Sequence, residues 1–190
     1  MKNYKYLFLV AIFASLAFTS CSDDDDNDNL PEIVDEFEEI TTVILTLSAE
    51  GSDDLVFQTQ DLDGDGPIPP VESFPAQNLQ ANTTYTGVIA TWNEGVDPVS
   101  NETEDIIEEA DVHQFFYTPG GEFNFAEFNY TDVDSNGLPL GVEFNFTTGE
   151  AQDGSITVIL RHDLTKTFEN DPTDVGGETE VDVTFPIVVE

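Results

Sequence analysis

Hydrophobic and polar residues alternate along most of this chain with a period of two, the spacing of a strand that buries one face. "TTVILTLS" carries Val43, Leu45 and Leu47 in one phase. "DLVFQTQ", "TTYTGVIATW", "VHQFFYT", "EFNFAEFNY", "VEFNFTT", "GSITVILRH" and "ETEVDVTFPIVV" follow, rich in β-branched and aromatic residues and separated by clusters of Gly, Pro, Asn and Asp. In "VEFNFTT", Val142, Phe144 and Phe146 face one way while Glu143, Asn145 and Thr147 face the other. In "EFNFAEFNY" the apolar phase slips, because Phe123 and Phe125 are odd-numbered and Phe128 and Tyr130 even. One extra residue accounts for that slip and predicts a β-bulge near Ala126. "ETEDIIEEAD", Glu102 to Asp111, is the one helical candidate, a turn or two ahead of the strand at Val112. About eight short strands joined by turns predict an all-β fold, a single antiparallel β-sandwich over residues 40–190.

"LQANTTYTGVIATWN" narrows the class of sandwich. It resembles the fibronectin type III segment in which a tyrosine follows a turn and bonds back to the backbone. That implies an immunoglobulin/fibronectin III-like domain with Tyr85 as a tyrosine corner; the alternative is an ordinary strand tyrosine.

The first 39 residues break the pattern. Lys2 and Lys5 precede an apolar run from Leu7 to Phe18, and Thr19 and Ser20 lead to Cys21, the only cysteine. A spanning helix needs about 20 apolar residues, so this shorter run reads as a secretory signal over residues 1–20. A single cysteine cannot form an internal disulfide. The segment resembles a bacterial lipoprotein signal, in which that cysteine is acylated; Phe18 stands where leucine is usual. The resemblance implies a lipid on Cys21 that holds the protein to a membrane without spanning it. Ten acidic residues and no base follow from Ser22 to Glu39, a composition that favours an extended tether. Ser-Asp-Asp-Asp-Asp directly after the cysteine resembles the acidic export signal of surface lipoproteins in Bacteroidota. It implies an outer-membrane anchor with the domain facing the cell exterior, the alternative being a spacer facing the periplasm.

Charge then limits the partners. The chain holds 40 acidic residues against four basic ones, and two of those four lie in the leader. Nucleic acid is excluded as a partner, because phosphates are bound by Lys and Arg that displace their counterions. A cation-rich exterior or a partner with a basic face fits.

The stretches "DLDGDG", "LQANTTYTG", "EEADVHQFFY", "DSNGLPLG", "TVILRH" and "GGETEVDVTFP" resemble a family of small Bacteroidota lipoproteins. Its members are often labelled "type 1 periplasmic binding fold superfamily". That label denotes a large two-domain α/β architecture, and this chain has neither the length nor the alternating helices for it. Members commonly sit beside TonB-dependent receptors, so the resemblance implies an accessory role in ligand capture with such an outer-membrane receptor.

Two loops carry the first candidate chemistry. "DLDGDGPIPPVE" places Asp61, Asp63 and Asp65 on alternate residues, then Gly66 and Glu72. "DVDSNGLPLGVE" places Asp132, Asp134, Asn136, Gly137 and Glu143 at the same positions. Both match the spacing that wraps hard oxygen donors around Ca²⁺. Asp-Gly and Asn-Gly are also hairpin-turn residues, and the strand-like flanks rule out a true EF-hand. A second, weaker candidate uses the two histidines of the chain. His113 and Asp111 are two residues apart on one strand phase, and His162 ends the apolar row Ile156, Val158, Leu160. If those strands are neighbours, His113, His162, Asp111 and Glu109 could bind Zn²⁺ or Cu²⁺; otherwise the histidines hydrogen-bond at the edge of the core. There is no G-x-S-x-G elbow, P-loop or G-x-G-x-x-G. The expectation is a non-catalytic binding domain with Ca²⁺-ordered acidic loops, or a transition-metal or ligand-capturing lipoprotein, or a structural and adhesive surface module.

Overall fold

A computed structural model of the protein describes residues 39–190 apart from residue 65. The leader, Cys21 and nearly all of the acidic tether lie outside the described residues.

Among the described residues, nine strands and one helix form in chain order: β1 (Thr42–Ser48), β2 (Leu55–Gln60), β3 (Val71–Ser73), β4 (Thr84–Trp92), α1 (Glu102–Glu108), β5 (His113–Gly121), β6 (Phe125–Tyr130), β7 (Glu143–Thr148), β8 (Gln152–His162) and β9 (Glu178–Val189). They make two antiparallel sheets, one ordered β3-β2-β1-β4-β7-β6 and the other β5-β8-β9. The fold is the all-β sandwich that the alternation implies.

The inner faces are set by single-phase rows. Val43, Leu45 and Leu47 of β1, Tyr85 and Ile89 of β4, and Phe144 and Phe146 of β7 are buried on the large sheet. Phe115 and Tyr117 of β5, Ile156, Val158 and Leu160 of β8, and Val181, Phe185 and Ile187 of β9 meet them from the small sheet. Ring pairs join the layers: Tyr117 and Phe144 have centroids 3.9 Å apart, and Phe57 and Phe185 5.9 Å. Gly87 lies opposite Phe144 in the β4–β7 register. A β-carbon on Gly87 would collide with that ring, so the glycine is what lets the phenylalanine lie over the strand.

The phase slip in β6 is a bulge. Phe125 pairs with Thr148 and Glu127 with Thr147, leaving Ala126 as the extra residue. Tyr85 is also a tyrosine corner in its hydrogen bonding, since its buried hydroxyl accepts the Gln80 N–H at 2.8 Å.

β5 departs from simple alternation because it is covered on both sides. His113 to Tyr117 are all buried. The segment after β8 lies over its outer face, where Gln114 exchanges two hydrogen bonds with the Thr167 backbone and Asn170 bonds both the N–H and the carbonyl of Tyr117.

Helix α1 is the short helix of about two turns that the pattern suggested, and it ends at Glu108. Glu102, Glu104 and Asp105 lie in its first turn, where the helix dipole favours negative charge. Ile106 is buried, and Thr103 docks the helix on β4 by accepting the Thr91 N–H at 2.7 Å. The Glu109 N–H bonds the Asp105 carbonyl, and the Val112 N–H then bonds the Glu109 carbonyl, turning the chain into β5.

Candidate metal centre

The chain's two histidines meet at one end of the small sheet. His113 and His162 are direct partners in the β5–β8 register, so their side chains leave the sheet on the same face. Both are buried, and their rings stack with centroids 4.4 Å apart. His162 extends the inward row of β8, as the sequence row implied.

The third member was not legible in the sequence. Across β8 and β9, Leu160 pairs with Val181 and Arg161 with Thr179, so Glu180 is the extra residue of a second bulge. Strict alternation would place Glu180 with the exposed Glu178 and Asp182. The bulge turns it inward instead, the re-aiming that bulges commonly perform. Its side chain is 1% exposed, with Oε1 2.9 Å from His162 Nδ1 and Oε2 3.4 Å from His113 Nε2. Glu178, Glu180 and Asp182 form one uninterrupted polar phase, so no local signal marks the middle one.

Glu109 closes the group from the helix end. Its carbonyl oxygen lies 3.1 Å from His113 Nδ1. Its carboxylate is exposed, and one ligand atom from each of Glu109, His113 and His162 falls within 4.8 Å of the others. Two imidazoles with carboxylate oxygens are a donor set suited to Zn²⁺ or Cu²⁺. Asp163 stands at the rim, its Oδ1 3.8 Å from His162 Nε2.

Asp111 is directed elsewhere. β5 begins only at His113, so Asp111 lies in the preceding turn and the strand phase that would pair them does not reach it. Its carboxylate accepts the Ser135 hydroxyl at 2.8 and 2.9 Å.

That bond leads to the second acidic loop. Asp132 accepts the backbone N–H groups of Gly141 and Glu143 at 2.8 and 3.0 Å. Asp134 Oδ1 accepts those of Asn136 and Leu138 at 2.8 and 2.9 Å. Its other oxygen is 2.8 Å from Lys166 Nζ, with both side chains buried. Lys166 also donates to the Ala110 carbonyl at 2.6 Å. Burial opposes the charge on Asp134, but Lys166 and the Leu138 and Asn136 amides outweigh it and hold the carboxyl below its usual range. Gly137 takes the left-handed backbone that the turn requires, with φ of 82°. The Glu143 side chain is exposed on β7, and Asn136 is exposed in the turn.

The first acidic loop is more open. Asp61 Oδ1 accepts the Asp63 N–H at 3.3 Å, and Asp63 Oδ2 accepts the Ile68 N–H at 3.2 Å. Glu72 sits on β3, opposite Thr59 of β2, and is exposed. Asp65 lies outside the described residues. Among the described residues, the group of three or more potential ligands that converges is Glu109, His113 and His162.

Comparison with protein families, with curated proteins and with solved structures gave no match.

Proposed function

We propose that this protein is a lipid-anchored, non-catalytic binding domain that captures a divalent transition metal, Zn²⁺ or Cu²⁺, at the outer membrane. The observation that carries this reading is the convergence of Glu109, His113 and His162 from a helix end and two neighbouring strands. Imidazole nitrogen with carboxylate oxygen selects this class of ion over Ca²⁺ and Mg²⁺, which take oxygen alone. The anchor at Cys21, the outward-facing placement and an accessory role beside a TonB-dependent receptor rest on the leader and on the family resemblance. Ordering of the acidic loops by Ca²⁺ is the second reading. It is favoured at the first loop, where the carboxylates of Asp61 and Asp63 accept backbone N–H groups within one tight turn and, among the described residues, no lysine is paired with them.

One experiment separates the two. The purified, metal-stripped protein is melted alone and with micromolar Zn²⁺ or Cu²⁺ or millimolar Ca²⁺ or Mg²⁺, at matched ionic strength. An ion that binds only the folded state at a hundred times its Kd adds about 2.7 kcal/mol, or roughly 5–10 °C for a domain of this size. A rise with Zn²⁺ that is lost in His113→Ala is expected. A rise with Ca²⁺ alone would move the function to the acidic loops, and a flat response to every ion would leave a structural or adhesive module.

A further inference from the structure

Within that metal-binding reading, on which this inference rests, we infer that Glu180 is the inner carboxylate ligand, acting with His113 Nε2 and His162 Nδ1. Glu109 then occupies the outer, solvent-facing position of the same ion.

Spacing supports this assignment. Bonds of about 2.0–2.1 Å to nitrogen and oxygen give a tetrahedral zinc site ligand-to-ligand edges of roughly 3.3–3.4 Å. Glu180 Oε2 and His113 Nε2 are 3.4 Å apart, which is such an edge. Glu180 Oε1 lies 2.9 Å from His162 Nδ1, so each carboxylate oxygen faces one ring nitrogen. Both imidazoles therefore aim their nearer nitrogens at one carboxylate.

Charge supports it too. A carboxylate that is 1% exposed is costly unless a cation faces it. A divalent ion held by the carboxylate and the two rings would place positive charge against that buried group. The donor set also narrows the ion. The chain's single cysteine is Cys21 and its single methionine is Met1, so the sandwich supplies no sulfur for Cu⁺.

The test measures Zn²⁺ affinity by competition with a chromogenic chelator for the unsubstituted protein, Glu180→Gln and Glu109→Gln. Glu180→Gln should weaken binding by about 100-fold or more, whereas Glu109→Gln should cost less than about tenfold. Nitrogen-15 spectra of the histidines in the Zn²⁺-loaded, unsubstituted protein give a readout that needs no variant. They should place the metal on Nε2 of His113 and Nδ1 of His162. Metal on the opposite nitrogens, or Glu180→Gln binding within about threefold of the original, would overturn the assignment while leaving the metal reading intact. No Zn²⁺ or Cu²⁺ uptake by the unsubstituted protein would overturn both.

Discussion

Lys166 sits where a loop-bound cation would be expected. Its ammonium group is buried against Asp134, in a loop spelled like a calcium site, and it ties that loop to the Ala110 carbonyl at the end of the helix segment. Breaking a buried pair leaves an uncompensated charge and typically costs about 3–5 kcal/mol. Lys166→Met should therefore destabilise the domain by that order, read by urea denaturation, and a loss below about 1 kcal/mol would mean the pair behaves as a surface one. Acid titration probes the same contact. The Asp134 carboxyl lies lower in the folded protein than in the unfolded chain. Its stabilising contribution is thus complete above about pH 4 and is lost as the pH falls through the folded value. In Asp134→Asn the melting temperature should fall less steeply on acidification than in the parent, and identical acid limbs would rule the contribution out. The sequence showed the aspartates of this loop but not their partner, because Lys166 is remote in the chain and no spacing rule connects them.

Bulges account for the main difference between what the elements reveal in sequence and what they build. The bulge in β6 was legible because phenylalanines flank it, and a phase change among large apolar residues is visible. The bulge in β9 was not, since its extra residue is one acid among acids. β3 also escaped notice: it is three exposed residues with no apolar phase, defined only by pairing with β2. The eight other strands and the site of the helix were readable because each strand is a run rich in β-branched and aromatic residues bounded by turn residues, and the helix an acidic, apolar-spaced stretch. Packing at the centre of the large sheet is testable through Gly87. Gly87→Ala would drive a methyl into the Phe144 ring. A cost of about 1–3 kcal/mol is expected from such overpacking. An unchanged denaturation midpoint would show that the ring moves freely aside.

For the whole molecule, placement decides function. On the proposed lipid anchor the acidic domain would meet either the exterior or the periplasm, and both proposals come from the leader, not from the sandwich. Protease added to intact cells should cut the domain if it faces outward; cleavage only after the outer membrane is opened would place it in the periplasm. The candidate centre joins residues 109, 113, 162 and 180, from three regions of the chain. Only the first three could be nominated from residue type, and the fourth required the three-dimensional pairing of β8 with β9.

That pairing has a consequence for how such a centre could arise. Arg161 and Leu160 are adjacent, and so would be their partners Thr179 and Val181 if codon 180 were deleted. The ladder would close without a gap, the apolar row of β9 would keep its phase from Val181 onward, and the histidines would lose their carboxylate. One inserted codon thus separates a sandwich end with two histidines and Glu109 from one that also holds a buried carboxylate against them. A lineage could gain or discard that carboxylate in a single step, and a designer could add one to another antiparallel pair by the same insertion without rebuilding the core.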